Sequence, residues 1–304
     1  MIDRPSWDHL ATFLSVMGSG SLSAAARNLR LSQPTIRRHV DELERQLGVA
    51  LFTRSPNGLI PTANALALVA YAQAMEGAAD ALVRAAKSDA VNVAGTVRVT
   101  CSEVMAGEIV PGILAPLLRQ HAALNIEIVA SDRMEDLLQR RADVAIRMVR
   151  PVQAALVARK LGDVRLGLFA SKQYLEYHEQ PIDINGLVDG HSLIGGDRDD
   201  QLMLALAGLG LDPNLLRFAI RTDSGPAQVA AIRAGVGIGV CQIGIAARDA
   251  SLVRIISEHS FALPVWIVMH EDLRHQPSVR AVYDHLAKEL LQYSARVSSD
   301  ADSS

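Results

Sequence analysis

Three short apolar periodicities, each cut by its own stop signal, open this chain and constrain its fold more than any later segment. Trp7, Leu10, Phe13, Leu14 and Met17 fall on one helical face, which Gly18-Ser19-Gly20 ends. Ser21 or Ser23 can cap a second helix, whose inward Leu22, Ala25, Ala26 and Leu29 let a neighbour approach closely. After a break at Arg30-Leu31, Ser32 is a good N-cap and Pro34 sits in a first turn where a missing N–H costs nothing. Ile36, Val40, Leu43 and Leu47 then recur at helical spacing, leaving Gln33, Thr35, Arg37 and Arg38 outward until Gly48 stops the helix. Two short helices, a tight turn and a third helix with a polar N-terminus predict a helix-turn-helix. Asn57-Gly58, between the apolar runs Ala50–Thr53 and Leu59–Thr62, predicts a hairpin that forms a wing.

The charge in this segment fits DNA. From Gly18 to Val40 the only charged side chains besides His39 are Arg27, Arg30, Arg37 and Arg38, and the acids Asp41, Glu42 and Glu44 come later in the third helix. Basic charge thus sits at the end of the helix that would enter a major groove, where free N–H groups also meet phosphate. Gln33 can pair with adenine, an arginine with guanine, and Thr35 can touch a thymine methyl or a phosphate. Arg54, at the base of the wing, is placed to reach a phosphate. The alternatives are a solvated helix face for the arginines and a structural ion pair for Arg54.

From Thr62 to about Asp89 the chain is Ala-rich and free of proline, with Leu66, Val69, Gln73, Met75, Ala79, Leu82 and Ala86 on a narrow seam. So long a helix cannot bury its face on a small winged module alone. A second copy covering it is the favoured solution, and packing on the C-terminal part is the alternative.

Several runs in register, Phe13–Val16, Gly20–Arg27, Leu31–Thr35, Leu43–Gly48 and Leu51–Arg54, resemble the LysR-type transcriptional regulators. Two positions depart from the family pattern: Arg37 stands where Ser or Thr is common, and Ala65 where glycine is usual. The resemblance implies a winged helix-turn-helix DNA-binding domain over residues 1–62, a linker and dimerisation helix over 63–90, and an effector-binding domain over 91–304. It places DNA contacts at Arg27, Ser32, Gln33, Pro34, Thr35, Arg37, Arg38 and Arg54. It also implies a homodimer or homotetramer on double-stranded promoter DNA, and contact with RNA polymerase if the protein activates.

Residues 91–304 alternate strand and helix patterns, which predicts an α/β fold with mostly parallel strands. Strands are expected at Thr96–Thr100, Ile126–Ala130, Val144–Ile146, Arg165–Ala170, 217–222, 238–241 and Pro264–Met269. Helices are expected at Val104–His121, interrupted by Pro111 and Pro116, and at Met134–Arg140, 172–178, 225–234 and Ser278–Tyr293. The resemblance implies a two-lobed, periplasmic-binding-protein-like domain, with 92–162 and 267–295 in one lobe and 163–266 in the other. The chain would cross between lobes near Lys160–Asp163 and Leu263–Trp266. Open α/β sheets hold ligands at strand C-terminal ends, which nominates Thr100, Cys101, Ser102, Ser131, Arg147, Thr222 and Asp223. Hydroxyls, helix N–H groups and Arg147 suit a small polar or anionic effector, although each residue also reads as a cap or a surface pair.

Other classes find little support. Thirty Lys and Arg against 33 Asp and Glu exclude a polycation, so a nucleic-acid surface must be a local patch. Cys101 and Cys241 exclude a disulfide framework and a Cys-rich zinc site, leaving one disulfide or, preferably, a reducing compartment. Gly235-Val236-Gly237-Ile238-Gly239 follows a helix and precedes a strand, the reverse of a dinucleotide fingerprint. Hydrolase, metalloprotease and phosphate-loop motifs are missing, His121 and His191 read as ordinary residues, and neither catalysis nor a cofactor or metal is expected. The N-terminus lacks a secretory signal pattern, and the uncharged run Gly235–Ala247 is shorter than a membrane helix needs, so a cytoplasmic protein without membrane contact is expected. The competing class is a small-molecule binding protein or enzyme whose helix-turn-helix serves protein contacts.

Overall fold

The computed structural model describes residues 5–55, 58–87, 92–131, 142–151, 156–188, 190–198 and 201–301. They fall into two compact units, one up to Ala86 and one from Lys87 onward, and each is described by itself.

The first unit contains α1 (Trp7–Ser19), α2 (Leu22–Leu29), α3 (Gln33–Leu47), β1 (Phe52–Ser55), β2 (Gly58–Pro61) and α4 (Ala63–Lys87). Ser6, Ser21 and Ser32 cap the first three helices by accepting from the amides of His9, Ala24 and Thr35. Gly20 and Gly48 end α1 and α3 in the left-handed region, and Arg30 ends α2 there without the freedom of a glycine. Phe13, Ile36, Val40, Leu43 and Leu51 are buried. Two expectations are corrected. Trp7 (42%) and Leu47 (36%) are exposed, because each lies at a helix terminus beyond the reach of the small core. Thr12 and Val16 are fully buried instead.

The wing is an antiparallel pair with Phe52 opposite Pro61 and Ser55 opposite Gly58; its tip, Pro56-Asn57, lies outside the described residues. Leu59 N–H donates to the Gly20 carbonyl at 3.0 Å. A Cβ on Gly58 would stand 2.8 Å from that same oxygen, so only glycine permits this approach. Glu44 Oε1 accepts from the amides of Leu51 (2.6 Å) and Phe52 (3.1 Å), tying α3 to the base of the wing.

Thr62 Oγ1 accepts from Ala65 N–H and caps α4. Ala65 and Ala72 are buried against Leu10, Phe13, Leu43 and Leu51. The side chains of Leu66, Tyr71, Met75, Leu82 and Val83 are exposed. Ala63–Val83 is long and apolar enough, by length and composition alone, to cross a membrane, which corrects the expectation that no segment is. Within it 63–75 carries no charged residue, and Glu76 and Asp80 follow.

The second unit is built on β3 (Gly95–Cys101), a π turn (Met105–Ile109), α5 (Val110–Gln120), β4 (Leu124–Ala130), β5 (Val144–Arg147) and β6 (Leu156–Ser171). It continues through α6 (Lys172–Leu175), β7 (Leu193–Gly195), α7 (Gln201–Gly208), β8 (Phe218–Arg221), α8 (Gly225–Arg233), β9 (Gly239–Gln242) and α9 (Ile243–Ala246). Strands β10 (Leu252–Ile255) and β11 (Phe261–His270) and helix α10 (Pro277–Ala301) complete it. The main sheet runs β10-β6-β11-β5-β3-β4, with β9 also beside β6, and β7-β8 forms a second, small sheet.

The sheet is mixed rather than mostly parallel. Only β3–β4, β3–β5 and β7–β8 run parallel among the named pairs. The long strands β6 and β11 pair antiparallel over ten positions, with a register shift at Val265/Trp266 opposite Lys160–Gly162. Strand β6 begins at Leu156, not Arg165, because it carries the crossing segment inside the same strand.

Pro111 and Pro116 do not interrupt their helix. Pro111 falls in the first turn of α5, and the irregularity is the π turn before it, where Val110 N–H bonds the Met105 carbonyl. The expected helix Met134–Arg140 lies outside the described residues. One apolar core lies among the main sheet, α5, α8 and α10, and a second surrounds Leu168, Tyr174, Leu187, Leu193 and Leu206.

Candidate DNA interface and effector site

At the N-terminus of α3, Ser32 Oγ accepts from Thr35 N–H at 3.2 Å and lies 2.7 Å from Thr35 Oγ1. The cap and the threonine hydroxyl are thus tied together. Ser32, Gln33, Pro34, Arg37 and Arg38 are exposed and Thr35 is half-buried, all within the first two turns, above buried Ile36 and Val40. Arg27 is exposed in the last turn of α2. Arg37 Nε stands 3.8 Å from Asp41 Oδ2, both side chains more than half exposed, so the pair is weak. Arg54 lies in β1 opposite Leu59; its side chain lies outside what the structure describes.

Behind this surface is a feature that sequence reasoning missed. Fully buried Thr12 places Oγ1 2.9 Å from His39 Nδ1, and the His9 and His39 rings lie 5.0 Å apart. Burial first, then the charges of His9 and Arg38, push the His39 imidazole below its ordinary range, against a smaller effect of Asp8. No spacing rule links positions 12 and 39, so the sequence carried no signal for it.

In the second unit, the nominated residues divide by accessibility. Thr100 is fully buried: its hydroxyl donates to the Ser131 carbonyl (3.3 Å) and accepts from Arg147 Nη2 (3.3 Å). Arg147, 2% exposed, also donates to the Ile146 carbonyl. These three therefore meet at the C-terminal ends of β3, β4 and β5. Cys101 is buried within the main apolar core, unlike Arg147, whose guanidinium hydrogen-bonds among polar groups at the strand ends. Both cysteines are free in place of the disulfide alternative. Burial pushes the Cys241 thiol up to about 11. Ser102 is half-buried and caps the start of the following helix through Met105 N–H.

Thr222 and Asp223 follow β8. Thr222 Oγ1 accepts from Ser224 N–H, and Asp223 accepts from the amides of Asp197 and Arg198 and from Arg198 Nε. Ser224 Oγ donates to Glu103 Oε2 at 2.9 Å, joining the segment after β3 to the start of α8. A Cβ on Gly225 would come 2.4 Å from Val104 Cγ2, so glycine permits this approach. A second tie lies nearby: Arg233 donates two hydrogen bonds to Glu108 (2.6 and 3.1 Å) and one from Nε to Asp249 (2.9 Å). The Arg233 bonds hold Glu108 below its usual range, and bonds from Ser251 and then Arg233 do the same for Asp249. Among the described residues no group of three or more His, Cys, Asp or Glu side chains could hold a metal.

Residues 7–66 match the bacterial regulatory helix-turn-helix protein family of the lysR type, and residues 91–291 match the LysR substrate binding domain. The chain belongs to the LysR family. The transcriptional activator protein LysR of Escherichia coli is 27% identical over 291 residues, 91% of each chain. The regulator PtxR of Pseudomonas aeruginosa is 29% identical over 168 residues, and the alignment spans about half of that relative (54%). The solved structure of CbnR, a LysR family transcriptional regulator, superposes with a TM-score of 0.69 at 19% identity, covering 94% of this chain and 99% of that one. AphB, a virulence activator of Vibrio cholerae, gives 0.59 at 20% identity, covering 93% and 99%. These likenesses carry the fold. This LysR-type protein is thus a transcriptional regulator with a helix-turn-helix and an effector-binding domain, and its relatives are regulators rather than enzymes.

Proposed function

We propose that residues 1–62 grip a pseudo-palindromic promoter site, that 63–90 link and dimerise, and that 91–304 hold a small polar effector with an anionic group. The carrying observation is the exposed arginine set on α2 and α3 above a buried apolar stripe. Arg27, Arg37, Arg38 and Arg54 supply phosphate contacts with Ser32 and Pro34 at the helix entry, and Gln33, Thr35 and one α3 arginine read bases. The exposed Tyr71, Met75 and Leu82, which share one face of α4, support a homodimer, with a homotetramer built from two of them. The lobes are 92–162 with 267–295, and 163–266. The effector contacts Ser102, Ser131 and the Thr222-Asp223 turn, with Thr100 positioning Arg147 for the anionic group. The protein works in the cytoplasm, away from membranes, and touches RNA polymerase if it activates.

A gel-shift series over the protein's own upstream region tests the first claim. Binding should weaken with salt, and Arg37→Ala with Arg38→Ala should reduce the salt slope by about 1 for each phosphate contact removed. An unchanged slope in both variants refutes the assignment. For the effector site, metabolites that shift the protein's melting temperature should lose affinity by calorimetry in Ser102→Ala and Arg147→Ala; unaltered affinity in both sinks it.

A further inference from the structure

Within the first unit, α1, the end of α2 and α4 leave a cavity of about 440 Å³ between them. That is the size of a small-molecule pocket. Its origin is legible in α1. Ala11 and Gly18, seven residues apart and so on one helix face, both line the cavity and bring almost no bulk to it. A Cβ added at Gly18 would meet nothing within 4 Å.

The walls differ in chemistry. Leu14 and Met17 of α1 and Leu29 of α2 are apolar, and Val69 begins the α4 wall. One turn on, α4 presents Gln73 and Glu76, neighbours at i, i+3 spacing. Glu76 is the only charged residue in the lining, and it is exposed. Among the described residues neither Gln73 nor Glu76 takes part in a hydrogen bond or ion pair. At about 100° per residue, Val69, Gln73 and Glu76 share one side of α4, while Tyr71, Met75 and Leu82 project from roughly the opposite side. The cavity is thus distinct from the apolar face assigned to the dimer, and none of the proposed DNA contacts lines it. Apolar walls that end on an unpaired carboxylate and an amide complement a cation with an apolar body, whereas an anion would meet Glu76 as a like charge.

We propose that this cavity binds a small amphipathic ammonium ion, its alkyl or aryl body against Leu14, Met17, Leu29 and Val69 and its N–H donors toward Gln73 and Glu76. Such a ligand bears on three helices of the DNA module at once, an input that bypasses the effector domain. The site stands independently of the DNA and effector assignments. Calorimetry of the full-length protein at about pH 7.5 tests it, with benzylamine, a protonated amine, in one arm and benzyl alcohol, its neutral counterpart, in the other. One saturable amine site per chain is expected, roughly fivefold tighter than the alcohol. Glu76→Gln should remove that preference by weakening the amine alone. Ala11→Leu, which fills the cavity from α1, should abolish binding in both arms. Should Ala11→Leu fail to fold, Glu76→Gln, made on an exposed side chain, decides the matter. Equal affinity for the two probes, unaltered amine binding in Glu76→Gln, or no saturable amine binding overturns the proposal. Sedimentation velocity on the same samples should show one oligomeric state throughout; smaller species in Glu76→Gln would assign the cavity to a second copy of the chain and overturn it as well.

Discussion

Replacing Arg233 by glutamine removes a clasp between the π turn and α8. The wild-type guanidinium makes three charge-assisted hydrogen bonds to Glu108 and Asp249. Fully buried, each would contribute about 1.5–3 kcal/mol. The side chains are 35%, 27% and 23% exposed, so water screens them, and about 1–2 kcal/mol for the whole clasp is the defensible figure. For a domain of about 200 residues this lowers the melting temperature by about 2–8 °C at pH 7. The sign with pH follows from the carboxylates. Both have folded pKa values below their ordinary 4.5 and 3.8, so their stabilisation is present above those values and disappears as pH falls through the folded ones. Differential scanning calorimetry of wild type and Arg233→Gln from pH 7 down to about pH 3 should show the two curves converging. Glu108→Gln in the Arg233→Gln background should recover part of the loss by removing a carboxylate left without its partner. Equal melting at pH 7, or a gap that stays constant into acid, refutes the reasoning.

Ser32→Ala removes the α3 cap and should cost about 1 kcal/mol of DNA-module stability, read by chemical denaturation, whereas Ser32→Thr should cost much less. Burial and the neighbouring positive charges lower the folded pKa of His39, so its contribution is present above its ordinary 6.5 and is lost as pH falls through the lower folded value. Chemical denaturation from pH 7.5 to pH 5, read by tryptophan fluorescence in a Trp266→Phe background that leaves Trp7 as the sole indole, should show acid weakening that His39→Gln reduces. Gly225→Ala drives a Cβ into Val104 and should lower the melting temperature of the effector domain, and Val104→Ala should restore it.

The helices of the first unit were legible because each carries its own periodicity and its own punctuation: Ser21, Ser32, Gly20 and Gly48 act within a few residues of the structure they control. Burial at the helix ends was not, since Trp7 and Leu47 look as apolar as Phe13 but project past the core. In the second unit, β7 and β10 span three and four residues, too short for alternation to speak, and α7 is nearly uniformly apolar. The direction of β6 and β11 depends on partners roughly a hundred residues apart. The same holds for the site. Arg147 could be nominated from its place after a strand, but Glu108 and Arg233 are separated by 125 residues and neither belongs to a motif. Nor could sequence distinguish Thr100, used up internally, from Ser102 two residues later.

The Gly20 carbonyl receives the wing's Leu59 amide at the very corner where α1 gives way to α2. If α3 and the wing contact DNA as proposed above, the wing's position relative to the helices is set through that corner, and a tilt there would change the distance between the two contacting elements. Selection on Gly58 is then selection on groove geometry, exerted by a residue that itself never needs to meet a base.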